Sequence, residues 1–170
     1  AGIRRRVMME GRIRVAGRDD YVAIERLWQA QNRHHTALEP ERIREVPVCL
    51  APDDFSRHLR DPDTDFLVFE TGHGVLGFAM VVERRIEGGV ARPRAIAFVQ
   101  EICVAEVARR AGIGRRLMAQ VEAWARRRDL VDVYLNVWAR NEDALAFYES
   151  LGFSALRLEL CKPVAGDEPV

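Results

Sequence analysis

The segment from residue 95 to residue 137 constrains the fold of this chain more than any other part of the sequence. It begins with one apolar run, AIAFVQEICV (95–104), and ends with another, VDVYLNV (131–137). Between them, apolar residues recur on one helical face over residues 112–128. The pattern predicts a strand, a helix and a strand, which in this order form a right-handed crossover between parallel strands.

The loop that opens this helix reads RRAGIG (109–114), and two more arginines follow it. The N-terminus of a helix already carries a positive partial charge, so four cations there are unfavourable unless an anion lies among them. A glycine-rich turn between a strand and a helix also lets backbone N–H groups converge on a phosphate. We therefore expect a phosphate-bearing ligand at this loop.

The residues of the loop and their spacing exclude two common nucleotide-binding motifs. A Walker A loop requires GxxxxGK[ST], and neither that spacing nor the lysine occurs here. A Rossmann fingerprint requires a third small residue at the position of Leu117, and the loop lies late in the chain without a second βαβ unit.

The remaining elements are predicted from periodicity, turn residues and helix caps. Strands are expected over 12–17, 65–70, 75–85 and 154–160, and helices over 19–35, 52–62 and 141–153. Asp19 and Asn141 are candidate N-caps, and Gly152 is expected to close the last helix.

This order of elements predicts a single mixed α/β domain over residues 12–162. A flexible N-terminal extension is expected over residues 1–11, and a flexible tail over residues 163–170.

Composition narrows the classes of function. The chain carries 26 basic and 26 acidic residues, and a net charge of zero argues against general binding to nucleic acid or a membrane surface. Three cysteines without CxxC spacing, and no apolar run of transmembrane length, predict a cytoplasmic protein with free thiols. His34 and His35 are adjacent and lack the i,i+4 spacing of ligands on one helical face, so no metal site is predicted.

The glycine-arginine loop and a second block of sequence resemble the GNAT acyltransferase superfamily. The family's coenzyme A signature, Q/R-x-x-G-x-G/A after a long strand, is matched by Arg109, Gly112 and Gly114. The block LNVWARNEDALAFYESLGF (135–153) is similar to the family's C-terminal motif. Glu106 and Arg110 stand where the family commonly has proline and glycine, but neither difference removes a backbone amide.

The resemblance implies a GNAT-like acyl-CoA N-acyltransferase fold. In that fold the central sheet is mostly antiparallel, with helices on both faces. Its two parallel strands, here 95–104 and 131–137, begin side by side and then splay apart.

The resemblance also implies acetyl-CoA as co-substrate, with no metal. The loop amides would hold the pyrophosphate, and the end of strand 95–104 would pair with the pantetheine arm. The residues expected to contact the cofactor are Ile102, Cys103, Val104, Arg109, Arg110, Ala111, Gly112, Ile113, Gly114, Arg115, Asn141 and Tyr148.

The reaction implied is direct transfer of the acetyl group to a primary amine of a small molecule, a peptide or a protein, without an acyl-enzyme. Glu101 is the candidate general base, and Tyr148 occupies the position of the family's general acid. Each residue also has a purely structural interpretation, Glu101 as a glutamate on an open strand face and Tyr148 as a core aromatic.

Further interpretations accompany this hypothesis. Trp28, His34 and His35 are candidate residues of the acceptor pocket, whereas Cys103 has no evident histidine partner and is expected to be inert. A non-catalytic acyl-CoA-binding sensor or regulatory module is the alternative function. Homodimerisation is left open, because no sequence feature decides it.

Overall fold

The computed structural model of the chain describes residues 9–163 and contains one five-stranded sheet with the strands in chain order. The strands are β1 (Arg12–Val15), β2 (Thr64–Thr71), β3 (Gly74–Ile86), β4 (Arg94–Val104) and β5 (Val133–Leu135), and the helices are α1 (Tyr21–Leu38), α2 (Pro52–His58), α3 (Ile113–Arg126) and α4 (Glu142–Glu149). The first four strands pair antiparallel, and β5 pairs parallel to β4. The predicted mixed α/β fold with a crossover through α3 is confirmed.

Helices cover both faces of the sheet because side chains alternate along the strands. Phe66 and Val68 of β2 pack in the cluster that α1 and α2 complete, whereas Leu67 and Phe69 pack in the cluster beneath α3. Two hydrophobic layers therefore hold the sheet between two pairs of helices.

The α1–β2 connection is pinned by side chains of α1. The buried Glu25 carboxylate accepts hydrogen bonds from the amides of Cys49 and Leu50, at 2.9 Å each. Asn32 accepts from the Val46 amide at 3.0 Å and donates to the Arg44 carbonyl. The α1–β2 connection has no regular secondary structure around these residues, but its backbone is thus fixed against α1.

Several predicted boundaries differ from the structure. The strand predicted over 154–160 is wrong, because within residues 9–163 this segment pairs with no strand, and alternation of apolar and polar residues makes a strand only beside an available edge. The candidate N-cap Asp19 is also wrong, since α1 is preceded by Asp20. The Asp20 carboxylate is bound instead by Arg14 and the Gly17 amide.

Both predicted chain ends fall largely outside the described residues, namely residues 1–8 of the extension and residues 164–170 of the tail. The end of the extension that is described lies against α3. There the Arg116 guanidinium donates to the carbonyls of Met9 and Gly11 at 3.2 and 2.6 Å.

Replacing Leu117 with alanine is expected to lower the free energy of unfolding by about 2–5 kcal/mol, because Leu117 of α3 is fully buried in the cluster beneath that helix. Urea denaturation measures the loss. Leu145→Ala removes the same atoms from a side chain that is 37% exposed, and its effect should stay near 0.5 kcal/mol. Equal losses in the two variants would contradict this assignment of the core.

Candidate active site

A β-bulge in β4 directs Glu101 toward α1. Val81 of β3 pairs with Val99 and Met80 pairs with Glu101, which leaves Gln100 as an extra residue. In a regular strand Val99 and Cys103 would share a face, but Val99 packs beneath α3 and Cys103 packs with α1. The bulge therefore inverts the alternation and turns Glu101 to the face that α1 covers.

The parallel strands β4 and β5 stay together over only three residue pairs, the last of which is Val99 with Leu135. Beyond Val99, one edge of β4 has no neighbouring strand within residues 9–163. The Ala105 amide donates to Leu76 on β3, and backbone groups alternate between the two edges of a strand, so those of Ile102 and Val104 face the opening. The Cys103 backbone points to β3, so any pairing with a ligand rests on Ile102 and Val104.

The Glu101 carboxylate lies at this opening, partly buried beneath α1. Burial raises its pKa to about 7, and hydrogen bonds from the Ile102 amide and from the side chains of Gln31 and Trp28 act in the opposite direction. The Gln31 amide nitrogen donates to the carboxylate directly. A carboxylate with a pKa near neutrality can accept and release a proton under ordinary conditions.

Tyr148 of α4 is 9% exposed and packs between two aromatic rings, with ring centroids 5.1 Å from Phe147 and 5.7 Å from Phe153. Burial raises the pKa of its hydroxyl above the ordinary value, and the negative charge of Glu101 adds to this effect. The hydroxyl therefore stays protonated at neutral pH.

The loop before α3 presents a set of backbone amides. Gly112 is the N-cap of α3 with φ of +85°, and Arg110 also has a positive φ of +62°. No backbone hydrogen bond to residues 9–163 is made by the amides of residues 111–115, whereas Arg116 N–H donates to Gly112 at 3.1 Å. Converging amides at a helix N-terminus form an anion site.

The four arginines of this loop do not share one role. Arg116 turns away from the loop, where it binds two carbonyls near β1 and stacks 4.6 Å above the Phe69 ring. Arg115 donates to the Ser150 hydroxyl at 3.1 Å. Arg109 and Arg110 are exposed beside the loop amides. Part of the positive charge at this helix start is therefore structural.

Gly114 allows α3 and α4 to approach closely. A Cβ at this position would lie 3.1 Å from the Phe147 ring. A large side chain at Gly114 would displace Phe147 and its neighbour Tyr148, so a substitution there disturbs α4 as well as the loop.

Asn141 caps α4, because its side-chain oxygen accepts a hydrogen bond from the Ala144 amide at 3.2 Å. The predicted capping role is confirmed. The predicted contact of Asn141 with the cofactor stays a prediction.

A cavity of about 330 Å³ lies between α1 and the end of β4. Its lining residues are Leu27, Ala30, Gln31, Arg33, His34, Val104, Glu106 and Arg109. Of the three predicted acceptor-site residues, His34 lines this cavity and Trp28 reaches Glu101. His35 lies outside the cavity lining, and burial lowers its pKa.

Cys103 is buried, and burial raises the pKa of its thiol well above the ordinary value. A thiol that resists ionisation is a poor nucleophile, which agrees with the expectation that this cysteine is inert.

Sequence reasoning missed Gln31 and the bulge at Gln100, and no local signal marks either feature.

Within the described residues 9–163, no group of three or more His, Cys, Asp or Glu side chains could hold a metal ion. No helix in that part of the chain is long and apolar enough to cross a membrane.

Comparison with known proteins identifies the family to which the chain belongs. The family model described as "Acetyltransferase (GNAT) family" matches residues 22–153, which is most of the chain. The chain therefore belongs to the GNAT family of acetyltransferases.

A relative agrees with this assignment. An N-alpha-acetyltransferase of Sulfurisphaera tokodaii is 32% identical over 111 residues, which are 61% of this chain and 65% of the relative. The matched part thus spans just under two thirds of that relative's length.

Solved structures show the same fold at lower identity. A tetramutant of the BH1408 protein from Bacillus halodurans is 22% identical with a TM-score of 0.85, over 90% of this chain and 99% of that chain. The aminoglycoside N-acetyltransferase AAC(6')-Iy, solved in complex with CoA, is 16% identical with a TM-score of 0.65, over 91% of this chain and 100% of that chain.

Proposed function

We propose that this chain is an acetyl-CoA-dependent N-acetyltransferase that passes the acetyl group directly to a primary amine of a small molecule, a peptide or a protein. The observation that carries the proposal is the opening between β4 and β5, with Glu101 on β4 beyond the last paired residue and Tyr148 buried on α4. Membership of the GNAT family and the CoA complex of AAC(6')-Iy support acetyl-CoA as the donor.

The protein offers groups that suit each part of coenzyme A. The free amides of residues 111–115 would hold the pyrophosphate, and Arg109 or Arg110 would contact phosphate oxygens. The outward backbone groups of Val104 and the Ile102 carbonyl would pair with the pantetheine arm as a neighbouring strand does, since the Ile102 amide donates to Glu101. Bound there, acetyl-CoA supplies an activated thioester.

Two side chains of this chain would move the protons of the reaction. Glu101 takes a proton from the acceptor ammonium, directly or through a water, so that the amine nitrogen can form a bond to the acetyl carbon. Tyr148 donates a proton to the sulfur as the carbon–sulfur bond breaks. The nitrogen loses its second proton to solvent as the amide forms, and Tyr148 is reprotonated from solvent. The products are an N-acetylated amine and free coenzyme A, and no protein side chain is acylated.

The cavity beside α1 is the proposed entrance for the acceptor. It is lined by Gln31, which also bonds Glu101, and by the carboxylate-bearing Glu106. A route through this cavity would bring an amine to Glu101 from the side opposite α4. The predicted cytoplasmic location and the absence of nucleic-acid and membrane partners are retained as part of this proposal.

Release of free thiol from acetyl-CoA tests the proposed function, measured against a panel of amines, amino acids, aminoglycosides and peptides with free N-termini. Turnover with one class establishes both the reaction and the acceptor. Binding of coenzyme A without thiol release across the panel would favour the alternative of a sensor or regulatory module. Failure to bind coenzyme A would overturn both.

Replacing Arg109 with alanine is expected to weaken coenzyme A binding roughly fivefold to tenfold, because a charged hydrogen bond to phosphate is lost at an exposed site. Calorimetric titration at several salt concentrations should also show a shallower salt dependence. Arg126→Ala, at the opposite end of α3, is the matched control and should bind normally. The loop assignment fails if the two variants bind equally well.

Replacing Gln31 with leucine is expected to move the acid limb of the kcat/KM profile to higher pH. The hydrogen bond from Gln31 lowers the pKa of Glu101, so its removal raises that pKa and leaves less carboxylate at pH 7. We expect a loss of roughly threefold at pH 7 that disappears near pH 9. Gln120→Leu on α3 is the control, and a loss independent of pH would argue that Gln31 acts only through packing.

A further inference from the structure

The bulge in β4 places two consecutive side chains on one face of the sheet. Val99 packs beneath α3, so by alternation the next side chain, that of Gln100, lies on the opposite face. Glu101 lies on that face as well, because the bulge inverts the alternation after Gln100. Gln100 is exposed and is the residue that the pairing of β3 with β4 leaves out, so the ladder itself does not hold it.

Arg84 of β3 reaches the bulge from the neighbouring strand. It pairs with Ile96, and its guanidinium carbon lies 3.6 Å from the centroid of the Phe98 ring, two residues further along β4. From there Nη2 donates a hydrogen bond of 2.6 Å to the side-chain oxygen of Gln100. The stacking and the hydrogen bond fix the planar guanidinium at two points along β4. Arg84 thus supplies the link between β3 and Gln100 that the ladder lacks.

The contacts of Arg84 differ from those of two arginines near it. Arg85, the next residue of β3, pairs with the Glu83 carboxylate at 3.7 Å, and Arg128 reaches the same carboxylate at 3.6 Å. Within residues 9–163, Arg84 contacts a ring and a neutral amide of β4 and pairs with no carboxylate. The position of its guanidinium is therefore determined by β4 and not by a surface ion pair.

We propose that Arg84 is a positioning residue for Glu101, because it holds Gln100 beside the Phe98 ring and so keeps the bulge in the register that turns Glu101 beneath α1. In the described part of the chain no hydrogen bond or ion pair joins Arg84 to Glu101, so the effect passes through Gln100. Its consequence for turnover rests on the function proposed above, whereas its consequence for the environment of Glu101 does not.

Titration of the Glu101 carboxyl tests the proposal in the protein without substrate. Carbon-13 NMR of glutamate-labelled protein follows the carboxyl, and Glu101→Gln identifies its resonance. In the unaltered chain, burial raises the pKa of Glu101 to about 7. Arg84→Met keeps an unbranched chain over Phe98 but cannot donate to Gln100. With the bulge released, the carboxylate should gain water, and its pKa should fall by about one unit.

The direction of the shift separates positioning from charge. Loss of a nearby positive charge alone raises the pKa of a carboxyl, whereas the proposal predicts a fall. Arg85→Met is the matched control, because it removes a cation from the next residue of β3 without changing the link to Gln100, and it should leave the pKa of Glu101 unchanged. Arg84→Lys, which keeps a donor on a long chain, should recover part of the fall.

The partner side chain gives a second test. Gln100→Ala should lower the pKa of Glu101 as Arg84→Met does. Because both changes break the same link, the double variant should show no larger fall than either single variant. An unchanged or raised pKa in Arg84→Met would overturn the proposal, and so would a fall in the double variant equal to the sum of the two single falls.

Turnover gives a separate readout. With any amine that supports thiol release, Arg84→Met should lower kcat/KM about fivefold while the affinity for coenzyme A stays unchanged. A matching loss of coenzyme A affinity would place Arg84 in the cofactor site and overturn the positioning role. If no amine supports thiol release, the proposed function fails, and the NMR titration still decides whether Arg84 positions Glu101.

Discussion

Replacing Tyr148 with phenylalanine is expected to lower kcat about a hundredfold while coenzyme A affinity stays unchanged. The ring lies between Phe147 and Phe153, and phenylalanine preserves this packing while removing only the hydroxyl. The proton that the departing sulfur needs must then come from water. Steady-state thiol release gives kcat, and calorimetric titration gives the affinity.

Tyr134→Phe is the matched control, because the Tyr134 hydroxyl on β5 is bound by Arg94. That variant should keep its turnover. Burial raises the pKa of Tyr148, so its hydroxyl should stay protonated at high pH. The kcat of the unaltered enzyme should therefore not fall through ionisation of Tyr148 up to about pH 10. Unaltered turnover in Tyr148→Phe would remove the acid role and leave Tyr148 as a core aromatic.

The second large effect is expected at Glu101. Glu101→Gln should lower kcat/KM about a hundredfold at neutral pH, because glutamine keeps the shape but cannot accept the proton. In the unaltered chain the base is the deprotonated carboxylate, so kcat/KM should rise with pH through about 7. Below that pH it should fall tenfold per unit.

In Glu101→Gln this acid limb should vanish, which separates loss of the base from general damage to the site. Glu122→Gln on the exposed face of α3 is the control, and its pH profile should match that of the unaltered chain. A retained limb in Glu101→Gln would assign the titration to another group and leave the base unidentified.

The crossover through α3 was predictable because its two apolar runs and amphipathic helix are local patterns. The glycine-rich loop before α3 was predictable for the same reason, since its glycines lie together in the chain. Its binding of an anion stays a prediction. Arg116 shows the limit of such reasoning. Its place beside the glycine-rich loop suggests that its side chain binds phosphate, whereas its guanidinium donates to carbonyls near β1.

The parts that sequence reasoning missed depend on contacts between distant residues. Gln31 reaches Glu101 across a separation of 70 residues, and no periodicity encodes such a pair. The bulge at Gln100 arises from the register of β3 against β4, which is a property of two strands. The segment 154–160 has the alternation of a strand, but alternation carries no information about whether a sheet edge lies beside the segment, and within residues 9–163 none does.

Because β4 and β5 pair over only three residues, Glu101 and Tyr148, the proposed catalytic residues, stand on two parts of the protein that differ in rigidity. Glu101 stands on a strand that is bonded along its length to β3, whereas β5 has no fully buried residue and α4 buries only Tyr148 in the described part of the chain. Segments with so little buried surface open at a lower free energy than the core. We therefore expect the β5–α4 half to open locally more readily than strands β1 to β4, which would give the proposed thioester a way in and its product a way out. In amide hydrogen exchange, the half that carries Tyr148 would exchange before the half that carries Glu101.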